Sequence, residues 1–263
     1  MNKLFFTFLI SFLSFFIFSQ KKKIVYDFSC MESATTNWLS DMEKSLIESY
    51  GSEVSLKEEK ELGQRLLTEC KKEYKFIESG SELYNLKKIL KSLKSQIKNP
   101  KGFDYEIYYI DDKTINAFTA GGKIFFTSGM YKFCLDKNEI ASIIGHEISH
   151  NELGHIKQNI SKAKTYDYYF GKEYGELTLF ISNLLTMSFN QKNETHCDMV
   201  GIDLAQGAGY QSCNAVSLWK RMQKKDGPES DLSFLSTHPY SGRRAECARL
   251  HLKRNYSINC GEN

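Results

Sequence analysis

Residues 136–150 read Asp136-Lys137-Asn138-Glu139-Ile140-Ala141-Ser142-Ile143-Ile144-Gly145-His146-Glu147-Ile148-Ser149-His150. Asp136 is a good N-cap, and Glu139 three positions later strengthens the signature of a helix start. Ile140, Ile143, Ile144 and Ile148 recur at helical spacing and give the helix its own apolar face. With about 3.6 residues per turn, His146 and His150 project together from another face, one turn apart. Two imidazoles so placed reach one ion, and Glu147 beside them reaches a water on that ion. HExxH arises by chance on the order of once per hundred such sequences, so a second signal is needed.

A zinc hydrolase holds its ion through three protein groups and leaves a fourth position to water. The metzincin pattern, Gly seven and His ten residues after the first His, is not met, because Gly154 and His155 fall at eight and nine. Asn193-Glu194-Thr195-His196-Cys197-Asp198 offers a carboxylate instead. On a helix Glu194 and Asp198 share a face. Glu194 would then meet the metal while Asp198 accepts a hydrogen bond from a ligand imidazole and fixes its tautomer. Alone, E-x-x-x-D is usually a solvated face. Here it follows HExxH by 44 residues, across an apolar stretch at 177–189, and the ligand reading is the better one.

Together with Gly201, Ala208-Gly209-Tyr210, Thr237-His238-Pro239 and Arg244, these residues resemble the zinc metallopeptidase family of HtpX, the Ste-type CAAX prenyl proteases and the exported bacterial proteins BepA and LoiP. These are gluzincins, which combine HExxH with ExxxD. Asn116-Ala117-Phe118 followed by Gly121-Gly122-Lys123-Ile124 resembles the strand before that family's active-site helix, with Gly121 where the family often has proline. The likeness runs from about residue 56 to residue 252. It implies an α+β, predominantly helical fold: a zincin-like metallopeptidase domain with a small β-sheet and an N-terminal helical segment. It implies one Zn2+ per chain on His146, His150 and Glu194, with Glu147 as general base and acid and Asp198 behind the ligands. His238 and Arg244 are implied to be catalytic residues near the metal, His238 filling the open position or steadying the transition state. Arg244 has a second reading, as a partner of Asp198. The substrate-binding strand would contain Asn116, Gly122 and Ile124, with 124–127 as an exposed edge that holds an extended peptide. The stretch 177–189 is thirteen residues long and contains Ser182, Asn183 and Thr186, so the membrane spans of HtpX and the Ste-type members are not expected here.

Toward the N-terminus, Lys3 precedes an apolar and hydroxyl run at 4–18, then Ser19-Gln20 and Lys21-Lys22-Lys23. This is the layout of a secretory leader, predicted as a signal peptide over 1–19. Fifteen residues fall short of the roughly 20 that span a bilayer, so an uncleaved anchor is the lesser alternative. Leu62, Leu66, Cys70, Tyr74 and Ile77, then Leu83, Leu86, Ile89, Leu90, Leu93 and Ile97, predict two amphipathic helices over 55–98. The domain division expected is an N-terminal helical segment at 20–99, the metallopeptidase domain at 100–255 and a tail at 256–263. Residues 105–110 and 124–127 read as strands, and 137–157, 176–189, 191–206, 212–224 and 241–253 as helices. Tyr166, Tyr168, Tyr169, Phe170 and Tyr174 would pack a loop, or form a lid or a membrane-facing patch.

The 263 residues are 41% hydrophobic and 25% charged with a net charge of +3, which excludes disorder and gives no reason to expect nucleic acid. No P-loop, dinucleotide fingerprint or G-x-S-x-G is present. Seven of the 18 Phe lie in the leader, and none of the seven Cys does, so all seven would enter an oxidising compartment. Cys247 could pair with Cys260 and pin the tail, and Cys197 is the thiol expected to stay free. The function expected is an exported, periplasmic or envelope-associated zinc endopeptidase acting on unfolded or misassembled envelope proteins, with peripheral membrane contact possible and oligomeric state open. The alternative is a chaperone or assembly factor that holds clients in the zinc cleft.

Overall fold

The structure, a computed structural model, describes residues 23–31, 53–170, 189–225, 234, 238 and 241–261. Along the chain come α1 (Leu56–Glu73), α2 (Ser81–Lys94), β1 (Glu106–Ile110), β2 (Ala117–Ala120), β3 (Lys123–Thr127), α3 (Ser128–Phe133), α4 (Lys137–Glu152), α5 (His155–Phe170), α6 (Gln191–Gly207), α7 (Cys213–Lys225) and α8 (Ser241–Tyr256). The fold is α+β and mainly helical. The leader at 1–19, the stretch 176–188 expected to be helical, Tyr174, Thr237 and Pro239 lie outside the described residues.

The sheet has the order β1-β3-β2, with β1 parallel and β2 antiparallel to β3. Ile124 and Phe126 are fully buried in a cluster shared with α2, α4, α6, α7 and α8, and Phe125 is buried on the other face with α1 and α5. β3 is therefore the central strand, covered on both faces and paired on both sides. This corrects the expectation that 124–127 is an exposed edge. An unalternating apolar run such as Ile124-Phe125-Phe126 is what two covered faces require. The edge on the side of α4 is β2. Because Asn116 pairs with Thr127 and Phe118 lies opposite Phe125, the backbone groups of Ala117 and Thr119 point away from β3.

Gly121 and Gly122 make the two-residue turn between β2 and β3, with φ of 56° and 83°. Both lie in the left-handed region that this hairpin turn demands. A Cβ on Gly121 would sit 2.1 Å from the carbonyl oxygen of Glu59, so α1 lies directly on the turn. Asn151 of α4 ties the same turn to the HExxH helix: its Oδ1 accepts from the Gly122 N–H at 3.0 Å and its Nδ2 donates to Thr119 Oγ1 at 2.9 Å.

Helix α4 starts where expected, with the Asp136 carboxylate accepting from the backbone N–H groups of Asn138 and Glu139. The run expected at 137–157 is interrupted at Leu153-Gly154, where Gly154 takes φ 78° and α5 begins. Residues 23–31 are extended along α6 and α8: Val25 exchanges backbone bonds with the Asn255 amide, and the Tyr26 hydroxyl donates to Asp203 at 2.8 Å.

The disulfides join Cys30 to Cys247 and Cys213 to Cys260, not Cys247 to Cys260. Helix α8 continues through Tyr256, so nine residues at about 1.5 Å each carry the chain roughly 14 Å beyond Cys247. After Ser257, in the left-handed region at φ 57°, the tail turns back onto the start of α7. Cys70, Cys134 and Cys197 are free and buried, as expected for Cys197.

Candidate active site

The site forms where α4 and α6 cross almost backbone to backbone. A Cβ on Gly145 would lie 2.8 Å from the carbonyl oxygen of Gly201, and one on Gly201 would lie 2.8 Å from the backbone nitrogen of His146. Two facing glycines allow this approach, and it brings the side chains flanking them together. His146 Nε2 and His150 Nε2 are 2.9 Å apart, and Glu194 offers Oε2 at 3.5 Å from the first and Oε1 at 3.4 Å from the second. His238 adds Nδ1, 3.2 Å from His146 Nε2 and 3.2 Å from Glu194 Oε1. These four residues are buried, and one ligand atom from each lies within 4.8 Å of all the others.

Burial holds the His146 imidazole well below its ordinary pKa and brings His150 down to about 4, so both are neutral and present lone pairs at neutral pH. Burial opposes ionisation of Glu194, but His238, His146 and Arg244 outweigh it and keep the carboxyl well below its usual range. Glu194 Oε2 has no hydrogen-bond partner among the described residues. Facing neutral nitrogens beside a buried carboxylate leave lone pairs that a cation satisfies, and nitrogen and oxygen donors converging in this way suit zinc. The residues present therefore fit the ion.

A profile of Peptidase family M48 matches residues 82–250. This chain belongs to peptidase family M48. The M48 chain is 30% identical over 206 residues to mitochondrial metalloendopeptidase OMA1 of Schizosaccharomyces pombe, covering 73% of this chain and 60% of that protein. It is 31% identical over 159 residues to OMA1 of Saccharomyces cerevisiae, covering 55% of this chain and 46% of that protein. To metalloprotease LoiP of Escherichia coli it is 27% identical over 164 residues, 57% of this chain and 63% of that protein. It thus spans about half the length of the yeast proteins it matches. M48 peptidases are zinc-dependent, in agreement with the donor set.

Behind the ligands of this M48 site stands a second layer of polar groups. Asp198 Oδ1 is 2.9 Å from His146 Nδ1 and fixes the tautomer that leaves Nε2 free. Arg244 Nε and Nη2 donate to the two Asp198 oxygens at 2.7 Å each, Nη1 lies 3.3 Å from Glu194 Oε2, and the guanidinium stacks 3.7 Å over Trp219. Burial pushes the Asp198 carboxyl up to about 6, against the pull of Arg244. The Arg244 fork is thus engaged by carboxylates and, through Nη1, by the His238 backbone carbonyl at 3.2 Å, which supports its second reading, as a partner of Asp198. His150 has a different support. Its Nδ1 faces His155 Nδ1 at 3.3 Å, and Cys197 Sγ lies 3.3 Å from that same nitrogen. Burial raises the Cys197 thiol well above its ordinary value, so it stays protonated.

Glu147 points both carboxylate oxygens into the buried site with no hydrogen-bond partner among the described residues, and burial raises its pKa to about 7. His238 Nε2 lies 3.6 Å from Glu147 Oε1, so this imidazole stands between the ligands and the carboxylate. Of the strand residues expected to touch substrate, Ile124 is fully buried in β3 and Gly122 gives its N–H to Asn151, so neither lies on a free edge. Asn116, at the start of the β2 edge, keeps a buried Oδ1 without a partner. Sequence reasoning missed the aromatic walls. Phe189 lies 3.9 Å from the His150 ring and Phe234 stacks 4.2 Å from His238. Each stands close in sequence to one member of the site, Phe189 five positions before Glu194 and Phe234 four before His238, but a single aromatic residue carries no sequence signal of the imidazole it packs against. His196 packs against Tyr26 and Phe28, away from the ligands.

Proposed function

We propose that this chain is an exported zinc-dependent endopeptidase that cleaves unfolded or misassembled proteins of the cell envelope. The observation that carries the reading is the pairing of a buried His146, His150, Glu194 donor set with Glu147, whose two oxygens face the site unpartnered. Zinc held there supplies a Lewis acid that polarises the scissile carbonyl and lowers the pKa of water. Glu147, with a pKa raised to about 7, takes the proton of the attacking water and returns it to the departing amine nitrogen. His238, 3.6 Å from Glu147, donates to the oxyanion that develops on the carbonyl. Asp198 and Arg244 hold His146 in register, and Phe189 and Phe234 keep bulk water from the imidazoles.

An extended substrate segment adds to β2, whose Ala117 and Thr119 backbone groups are turned outward. Recognition by backbone places little demand on side chains, which suits unfolded clients. The two disulfides support an oxidising compartment. Among relatives, the β-barrel assembly-enhancing protease of Escherichia coli is 24% identical over 174 residues, and its name ties that protein to β-barrel assembly. Purified residues 20–263 are expected to hold about one zinc per chain and to cleave casein. Glu147→Gln lowers cleavage by roughly 10²- to 10⁴-fold with zinc content unchanged. Cleavage that survives both this change and zinc removal rules the reading out.

A second reading follows from His238, whose Nδ1 stands among the ligand atoms. As a fourth protein ligand it closes the position water needs, and the protein then holds clients without cutting them. Full rescue of a deletion strain by Glu147→Gln selects this reading over the first.

A further inference from the structure

The edge of the sheet opposite β2 is β1, and among the described residues only its far end is covered. Glu106 donates its N–H to Gly122 of the β3 side, so the backbone groups of Ile107 and Tyr109 face away from β3. At the far end, Ile77 donates to the Tyr109 carbonyl at 2.8 Å and Asp111 donates to the Lys75 carbonyl at 2.9 Å, a short antiparallel bridge. That pairing stops at Ile77. The Ile107 N–H and C=O and the Tyr109 N–H have no backbone partner among the described residues. Among the described residues this edge accepts a strand at one end and is open at the other.

Over the open end lies a groove of about 510 Å³ between β1 and α2. Its floor is apolar, with Phe76, Leu83, Leu90, Ile107 and Tyr108 among its lining. Its rim is basic. Lys87, Lys91 and Lys94 stand at i, i+4 and i+7 on α2, Lys71 lies at the end of α1, and all four line the groove. None of the four forms an ion pair among the described residues. Against them the groove offers two carboxylates, and Glu106 is already engaged by Lys123 and by the Tyr108 hydroxyl. That leaves Glu78 as the acid without an ion pair among the described lining residues.

We infer that this groove is an exosite that binds an extended acidic segment of a client polypeptide as a strand alongside β1. The open backbone groups supply the hydrogen bonds, the apolar floor takes alternate side chains, and the lysine row selects carboxylates. The groove and the cleavage edge are on opposite sides of a three-stranded sheet, so strands added at its two edges lie about 19 Å apart at the usual spacing. A client tethered at one is held at high local concentration for the other. The tether rests on the peptidase reading; the binding does not.

The test titrates the full chain against a fluorescein-labelled eight-residue peptide alternating Glu and Val, read by fluorescence anisotropy. Binding should weaken at least tenfold in Lys87→Glu/Lys91→Glu, persist in Lys87→Arg/Lys91→Arg and fall with added salt. N-methylation of alternate residues on one side of the peptide should abolish binding, and methylation of the other set should leave it. No binding, or equal binding by the charge-reversed variant or by both methylated peptides, overturns the site. For the tether, casein carrying this acidic tail should show a KM several-fold higher with Lys87→Glu/Lys91→Glu and an unchanged kcat. An equal KM overturns the client assignment. Absence of all cleavage by the wild-type chain counts against the peptidase reading, and the anisotropy result then still decides the groove.

Discussion

Arg244 is 1% exposed, and its guanidinium faces two carboxylates and an indole ring. Removing one member of such a buried set leaves the others charged and unpaired. Arg244→Leu is expected to cost about 3–5 kcal/mol, measurable by urea denaturation, and Arg244→Lys should recover only part of it because a single ammonium cannot serve both Asp198 oxygens. Glu59 on α1 makes a separate prediction. Burial raises its pKa to about 7, with Lys101 and Lys157 offsetting only part, and Oε2 has no partner. The folded chain therefore binds more protons than the unfolded one between about pH 4.3 and 7, and stability falls as pH rises through that window. Glu59→Gln should raise the melting temperature at pH 8 and leave it nearly unchanged at pH 4. At this scale the ligands were legible because helical spacing places His146, His150, Glu194 and Asp198 on definite faces. Trp219, Phe189 and Phe234 were not, since no period in their own segments says which ring meets which imidazole.

Helices α4 and α6 can exchange ligands only because Gly145 and Gly201 let them touch. A methyl group at Gly201 would meet the His146 backbone nitrogen at 2.8 Å, and the helices must part to admit it. Gly201→Ala is expected to destabilise the fold by about 1–3 kcal/mol and to weaken zinc binding, followed by chelator competition. If zinc affinity is unchanged, the two helices do not set the ligand spacing. The sequence announced α4 through its cap and periodicity, and α6 through the shared face of Glu194 and Asp198. Periodicity did not register β2, whose four residues Ala117, Phe118, Thr119 and Ala120 are short and mixed, and only the family resemblance put Asn116-Ala117-Phe118 on a strand. The sequence also carried a clue that points away from an edge strand: Ile124-Phe125-Phe126 does not alternate, and a strand with one wet face would. The basic row on α2 reads in sequence as an ordinary solvated helix face, and only the open edge of β1 beside it gives the row another meaning.

Across the whole molecule, two disulfides close loops of very different span, 217 residues between Cys30 and Cys247 and 47 between Cys213 and Cys260. The longer one removes more freedom from the unfolded chain, and Cys30→Ala is expected to lower stability by about 2–5 kcal/mol, read as a lower denaturation midpoint in the absence of reductant. An unchanged midpoint would mean that the bonds from Val25 and Tyr26 hold residues 23–31 in place without it. Pairing could not be read from the sequence, because seven cysteines allow many combinations and the partners meet only once α8 is laid against residues 23–31. Helix α8 carries both Cys247 and, three positions earlier, Arg244. A chain made from its N-terminus holds Cys30 without this partner until Cys247, 217 residues later, has emerged. The residues that strap 23–31 to α8 and the arginine that completes the carboxylate network therefore arrive together. The order of synthesis couples the closing of this loop and the finishing of the site's polar network in one event.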